Sequence, residues 1–169
     1  METYLEGSNN SMSKTGEMNR QKQIEKFGGN SIDLEGRKAN FKDIELLGCV
    51  FRHFKGNYYF GIQIGKDCDN PDRLLVMYAG AQEGSGYWVR EFNNFFSEVD
   101  FNKYPQADCL FRQTSVEELV CSGWTIEEVI ADIKSKHYPK GAEGLLLDYV
   151  DKVAKSLEDI REETLTWLK

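Results

Sequence analysis

The segment Val50–Phe60, VFRHFKGNYYF, predicts a β-hairpin in which charged residues stand among aromatic ones. Residues 55–57, KGN, form its turn, because glycine accepts the positive φ that a tight turn requires. From residue 58 to 66, aromatic and β-branched side chains occupy every second position, which is typical of a strand with one buried face. Folding explains every part of the hairpin except its basic residues, which are Arg52, His53 and Lys55.

Further strand patterns follow the hairpin as far as residue 112. The nearly continuous apolar run RLLVMYA at 73–79 predicts a central strand, and YWVRE at 87–91 and FSEVDF at 96–101 predict two more. Five short antiparallel strands in about 55 residues are typical of a small barrel or roll. We therefore predict an α+β protein with a small antiparallel β-barrel over residues 45–112.

The regions on either side of the predicted barrel differ from it in composition. Residues 1–44 are polar and rich in Gly, Ser and Asn, which predicts a partly flexible leader. Residues 113–169 predict a helical extension, in which Thr125 and Glu128 form a capping box at the start of one helix. A second, longer helix is expected from about Ala142 to the end.

The long C-terminal helix has a regular apolar stripe with a 4-3-4-3 spacing. Its members are Leu146, Val150, Val153, Leu157 and Ile160. Such a stripe packs either against the helix's own domain or against a second chain, so intramolecular packing and oligomerisation both remain open.

Composition and the motifs that are missing narrow the possible functions. The net charge of −7 argues against bulk binding of nucleic acid, which needs a basic surface. We expect no membrane span, because no apolar run approaches the ~18 residues required, and a cytoplasmic location, because residues 1–6 do not resemble a secretory signal. Without CxxC, Walker or GxSxG motifs, we predict no metal, no cofactor and no catalytic residues.

Four motifs in this order and spacing, GCVFRHFKGNYY, LLVMY, YWVRE and FFSEV, resemble the small bacterial and phage family catalogued as domain of unknown function 1653. The resemblance covers roughly residues 45–101, and two departures from it are Phe51, where the family often has Tyr, and Glu91, where it often has Pro. It implies an SH3-like barrel and no established reaction. The matching positions are Gly48, Arg52, His53, Phe54, Lys55, Gly56, Asn57, Tyr59, Val76, Tyr78, Trp88, Val89, Arg90, Phe95, Glu98 and Val99.

Strand geometry places Trp88 and Arg90 on one face, which points outward if Tyr87 and Val89 face the core. An indole beside a guanidinium suits a ligand that has both a flat ring and a negative charge. Arg52 and His53 lie on opposite sides of their strand, so at most one of them can join this face unless the strand bends. The candidate ligand-binding residues are Arg52, His53, Lys55, Tyr58, Tyr78, Trp88 and Arg90.

Another interpretation of the same residues is purely structural. Arg90 would then pair with Glu98, Glu91 or Asp100, and His53 would be a half-buried histidine with its hydrogen bonds satisfied.

Two hypotheses about function follow. The first is a non-catalytic SH3-like module that binds a nucleotide-like or other anionic small molecule. The second is a homo-oligomer or protein-interaction protein that works through the C-terminal helix. A phage or mobile-element protein that sequesters a nucleotide signal or inhibits a host factor fits the second hypothesis.

Overall fold

The computed structural model describes residues 12–27 and 33–168, which fold into six helices and one sheet of five strands. The helices are α1 (Lys14–Lys26), α2 (Leu34–Asp43), α3 (Phe92–Phe95), α4 (Val116–Cys121), α5 (Ile126–Ser135) and α6 (Lys140–Trp167). The strands are β1 (Val50–His53), β2 (Tyr58–Lys66), β3 (Leu74–Gly80), β4 (Tyr87–Glu91) and β5 (Gln113–Ser115).

The strands form an antiparallel sheet in the order β4-β3-β2-β1-β5. Within the described residues β4 and β5 do not pair with each other, so the sheet is open. The α+β class is confirmed, and the closed SH3-like barrel is not. Helices cover both faces of the sheet, and they bury the apolar surface that closure into a barrel would otherwise bury.

Two predicted strand boundaries differ from the structure. The segment FSEVDF at 96–101 was expected to be a strand, but it begins at the C-cap of α3 and forms no named strand, and Glu98 makes an isolated bridge to Phe111. Residues 113–115, expected to begin the helical extension, form β5 beside β1. The polar sequence QTS gives no alternation from which this short edge strand could have been predicted.

The register divides the sheet into two faces, since residues directly opposite each other in a β-ladder point to the same side. We call the side packed against α2 and α3 the front face and the other side the back face. The front face carries Phe51, His53, Tyr59, Tyr78, Trp88 and Arg90. The back face carries Val50, Arg52, Tyr58, Phe60, Met77, Tyr87 and Val89.

The back face holds the larger apolar core together with α4, α5 and α6. The capping box predicted at Thr125 and Glu128 is confirmed, and a second one at Ser115 and Glu118 begins α4. Both boxes begin amphipathic helices, whose apolar residues such as Ile133 are fully buried.

The stripe of α6 divides along its length. Leu146, Val150 and Val153 are buried in the domain's own core, whereas Leu157 is 38% exposed and Ile160 is 60% exposed. The first half of the helix therefore packs intramolecularly, and the second half extends away from the core.

Much of the segment predicted as a polar leader is helical and docked on the domain. Ile24 of α1 is buried, and Arg20 pairs with Glu98 at 2.7 Å. In α2, Arg37 pairs with Glu118 at 2.6 Å. Residues 1–11, where flexibility was expected, lie outside the described residues. None of the helices in the described part of the chain is long and apolar enough to span a bilayer.

Candidate anion-binding site

The two basic residues of β1 lie on opposite faces, and this divides the predicted site. His53 is on the front face with Tyr78, Trp88 and Arg90, whereas Arg52 is on the back face. Tyr58 is also on the back face and is fully buried. His53, not Arg52, therefore shares a face with Arg90.

Arg52 and Tyr58 belong to a buried polar network. The Nε of Arg52 donates to Asp132 at 2.8 Å, its Nη1 donates to Asp108 at 3.1 Å, and the Tyr58 hydroxyl donates to Asp132 at 2.7 Å. Burial alone would lower the pKa of Arg52, but its carboxylate partners raise it above the ordinary value. Because both residues have their hydrogen bonds satisfied within the fold, we leave them out of the candidate site.

Four basic side chains come together on or beside the front face, and we call them the front-face cation cluster. They are His53, Lys55, Arg90 and Arg112. Burial first, and then the charges of Arg112, Lys55, Arg90 and, from the back face, Arg52, lower the pKa of His53 to about 4. At neutral pH the cluster therefore consists of three cations and one neutral imidazole.

Arg112 was missing from the sequence-based prediction, and it has the most unusual environment of the four. The backbone fixes it on both sides, since its N–H donates to Ser97 at 2.8 Å and its carbonyl accepts from Phe54 at 3.0 Å. Its side-chain Nε is buried, and no hydrogen-bond partner for it exists among the described residues. Burial, followed by the neighbouring charge of Arg90, lowers the pKa of Arg112.

The cluster lacks neutralising carboxylates. Within the described residues, no acidic side chain lies within ion-pair distance of Lys55, Arg90 or Arg112. Arg90 instead donates to Asn94 Oδ1 at 2.7 Å and lies 3.5 Å from the Tyr78 hydroxyl. The alternative of an Arg90–Glu98 pair is not observed, because Glu98 pairs with Arg20.

The hydrogen bonding of His53 determines what its ring can offer. Its Nδ1 accepts from the backbone N–H of Lys55 at 3.1 Å. A neutral imidazole that accepts through Nδ1 carries its proton on Nε2. His53 therefore has an N–H donor that can bind an anion without adding a charge.

Aromatic rings border the cluster. The rings of Tyr59 and Tyr78 lie 5.4 Å apart, and Lys55 Nζ lies 5.2 Å from the ring centre of Tyr104. Trp88 shares the front face with Arg90, but Tyr87 and Val89 do not face the core, since they are 76% and 56% exposed. They are exposed because β4 is an edge of an open sheet rather than a strand of a closed barrel.

A cavity of about 770 Å³ is bordered by α2, α4 and Tyr149 of α6. Unlike the front-face cation cluster, its described lining has no charged group without a partner. Its guanidinium, Arg37, is paired with Glu118, and the Tyr149 hydroxyl donates to Glu117. Asp33 accepts from the Gly36 N–H at 2.8 Å. The charged groups around this cavity therefore already have partners.

Arg112 could not be found from the sequence, because it follows the last predicted strand and stands in no periodic pattern. Its place beside His53 depends on the Phe54–Arg112 hydrogen bond, which joins residues far apart in the chain.

Comparisons with known proteins give one match. No curated protein and no solved structure is significantly similar to the chain. All four residues of the front-face cation cluster lie within residues 49–112, the part of the chain that matches a family model. Residues 49–112 match the family model described as Protein of unknown function (DUF1653), which confirms the resemblance predicted from the sequence.

Proposed function

We propose that this protein is a non-catalytic binding module that holds an anionic small molecule, nucleotide-like in character, at the front-face cation cluster. The observation that carries the proposal is the buried Nε of Arg112, which lacks a hydrogen-bond partner among the described residues and lies near Arg90. A buried donor without a partner costs about 1–3 kcal/mol, and a ligand oxygen would remove that cost.

The charge of the cluster supports an anion rather than a neutral ligand. The chain has a net charge of −7, yet Lys55, Arg90 and Arg112 lie together without a carboxylate within ion-pair distance in the described part of the chain. Like charges at close range repel each other, and an anion between them replaces repulsion by attraction. Guanidinium groups also bind phosphate and carboxylate through two parallel hydrogen bonds.

The aromatic border supports a ligand that carries a flat ring. Stacking of a base on an aromatic side chain contributes about 1–3 kcal/mol, and each charge-assisted hydrogen bond contributes about 1.5–3 kcal/mol. About four such contacts, each near the middle of its range, sum to the roughly 8 kcal/mol that micromolar binding requires. Three tyrosines, Tyr59, Tyr78 and Tyr104, lie among the cations of the cluster.

The proposal gives His53 no role as a general base. A general base that works at neutral pH needs a pKa close to 7, and the pKa of His53 is about 4. A module of this kind would act by retaining its ligand, and sequestration of a nucleotide signal is one such use.

The test combines ligand release with calorimetry. The purified protein is denatured, and any ultraviolet-absorbing small molecule that it releases is identified by mass spectrometry. Nucleotides and inorganic phosphate are then titrated into the stripped protein. We expect Arg90→Met and Arg112→Met each to weaken binding by about tenfold to a hundredfold.

The matched control is Arg161→Met, since Arg161 is an exposed arginine of α6 outside the cluster. Binding that is unchanged in the Arg90 and Arg112 variants would exclude this site. A wild-type protein that binds neither nucleotides nor phosphate would overturn the proposal.

A second candidate function is self-assembly through the far half of α6. The observation that favours it is the exposure of Leu157 and Ile160, which continue the stripe that Leu146, Val150 and Val153 bury. Sedimentation at increasing concentration should then show a component of self-association that Leu157→Asp removes and Asp159→Asn preserves. A monomer at high concentration argues against this function.

A further inference from the structure

β4 is an edge strand whose outer side has no partner in the described part of the chain. Among the described residues, the inter-strand backbone hydrogen bonds of β4 are those that it makes with β3. An edge strand is usually protected from pairing by charged side chains, Pro or a bulge. In YWVRE the charges are confined to Arg90 and Glu91, and the strand has no Pro and no bulge.

The side chains of this edge are more exposed than apolar side chains usually are. Tyr87 is 76% exposed, Trp88 is 52% exposed and Val89 is 56% exposed. Met77, opposite Val89 on β3, is 42% exposed, so the apolar patch extends one strand inward on the back face. Contiguous exposed apolar surface of this kind usually marks an interaction site.

The sequence of β4 is complementary to itself in one antiparallel register. When Val89 faces Val89 of a second copy, Trp88 lies opposite Arg90 and Tyr87 lies opposite Glu91. The first pair places an indole beside a guanidinium, an attractive arrangement, and the second pair avoids two like charges. Both members of each pair lie on the same face of their own sheet, as an antiparallel ladder requires.

We infer that β4 pairs with β4 of a second copy of this chain, antiparallel and with Val89 on the two-fold axis. The two five-stranded sheets then join into one continuous sheet. Met77, Tyr87 and Val89 of each copy meet on the back face and cover one another. On the front face the partner's Trp88 lies beside Arg90, so each copy contributes a ring to the other's cation cluster.

The contribution of Trp88 to the other copy's cation cluster rests on the proposed function, whereas the strand pairing does not. Without the pairing, Trp88 belongs to the site of its own chain. With it, the indole directly opposite Arg90 across the joined sheet is the one donated by the second copy.

Disulfide trapping tests the register. In a background in which the exposed Cys68 and Cys121 are replaced by Ser, Val89→Cys should form a covalent dimer under mild oxidation. Residues facing each other in an antiparallel ladder have Cα atoms about 4.5–5.5 Å apart, within the range that a disulfide spans. No cross-linking of Val89→Cys would overturn the inference.

Tyr87→Cys is the matched control, because it lies on the same face and is equally accessible. In the inferred register it is four residues, or about 13 Å, from its own copy, which is too far for a disulfide. Tyr87→Cys alone should therefore stay monomeric, while Tyr87→Cys combined with Glu91→Cys should cross-link. Cross-linking of Tyr87→Cys as fast as Val89→Cys would exclude this register.

Sedimentation separates this interface from the one on α6. The wild-type chain should dimerise with rising concentration, and Val89→Lys should abolish that dimer while leaving the circular dichroism spectrum unchanged. Leu157→Asp should leave the dimer intact. A wild-type chain that remains monomeric at hundreds of micromolar contradicts the inference, as does a dimer lost only in Leu157→Asp.

Subunit mixing tests the contribution of Trp88 from the second copy. Chains with Trp88→Ala and chains with Arg90→Ala, all carrying Val89→Cys, are mixed and then oxidised. One site in each mixed dimer regains both residues, so about a quarter of the wild-type number of sites should reappear. If no binding sites reappear, Trp88 acts in the site of its own chain.

The two proposals can fail separately. Trapped dimers that bind no anion contradict the proposed function alone, and anion binding by a chain that does not cross-link contradicts the pairing alone.

Discussion

Arg52 and Arg90 are two arginines of one sheet whose surroundings give them different roles. Arg52 is buried between Asp108 and Asp132, and its donors are satisfied by the fold. Arg90 is exposed, and its hydrogen-bond partners are a side-chain amide and a phenol rather than carboxylates. The same residue type therefore stabilises the core in one place and is available to a ligand in the other.

This difference predicts that the same substitution has a large effect on stability at Arg52 and a small one at Arg90. Arg52→Met should lower the free energy of unfolding by about 3 kcal/mol, because it removes the buried guanidinium that pairs with both Asp108 and Asp132. Arg90→Met should change that free energy by less than about 0.5 kcal/mol. Urea denaturation of both variants measures the difference. Equal losses of stability would show that Arg90 is also a structural residue.

His53 predicts a dependence of stability on pH. Its pKa is about 4 in the folded chain and near 6.5 in an unfolded one, so the unfolded chain takes up the proton first as the pH falls. This contribution to stability is fully present above pH 6.5 and is lost between pH 6.5 and 4. At pH 5 the loss should be on the order of 1 kcal/mol, since partial exposure of the ring screens part of the effect. Urea denaturation of the wild type and of His53→Asn at pH 7 and pH 5 should show a smaller loss in the variant.

Strand periodicity was enough to predict that Arg52 and His53 point to opposite sides. It could not show which side the helices α4 and α5 would cover, because that depends on packing between distant segments. The same limit applies to Arg112, whose neighbours His53 and Arg90 come from other parts of the chain.

At the scale of elements, α6 combines two environments in one helix. Its 28 residues extend about 42 Å at 1.5 Å per residue, and buried residues end at Val153. The heptad pattern predicted the stripe, but the length over which the domain covers it depends on how large the sheet and α5 are. The alternatives of intramolecular packing and an exposed seam thus apply to different halves of the helix.

Two leucines of this helix form a matched pair. Leu146→Ala should destabilise the protein by about 3–5 kcal/mol, since Leu146 is fully buried and its loss leaves a cavity. Leu157→Ala should cost less than about 1 kcal/mol, because this side chain is already 38% exposed. Thermal and urea denaturation at low protein concentration, where association does not contribute, compare the two.

At the scale of the whole molecule, the N-terminal helices complete the domain rather than precede it. Ile24 fills part of the back-face core, and Asn19 donates to the carbonyls of Pro105 and Ala107. The polar composition of residues 1–44 predicted a leader because few apolar residues occur there. A few buried side chains and buried ion pairs are enough to dock a short helix, and composition does not show them.

The docking of α1 predicts that two of its apolar side chains contribute differently to stability. Ile24→Ala should lower the free energy of unfolding by about 2–4 kcal/mol, because Ile24 is 3% exposed. Met18→Ala, at a position that is 74% exposed, should have almost no effect. Hydrogen exchange should also show faster exchange around Phe111 in the Ile24 variant alone, since Ile24 and Phe111 share one core.

The fold as a whole was predictable at the level of class, hairpin and capping box, and not at the level of closure. Alternating strands such as β2 identify themselves in the sequence, but an open sheet and a closed barrel have the same alternation. Closure depends on whether helices or other strands cover the faces. Here α2 and α3 on the front face and α4 to α6 on the back face decide the outcome.

The orphaned donor of Arg112 has an evolutionary consequence. In the unliganded protein it is a source of electrostatic frustration, so function and thermostability favour different residues at this position. Arg112→Met should raise the melting temperature of the empty protein by about 2–4 °C for each kcal/mol of relief, as measured by calorimetry. A directed-evolution experiment that selects only for heat resistance should therefore replace Arg112 early and produce a more stable chain that lacks the proposed anion-binding site.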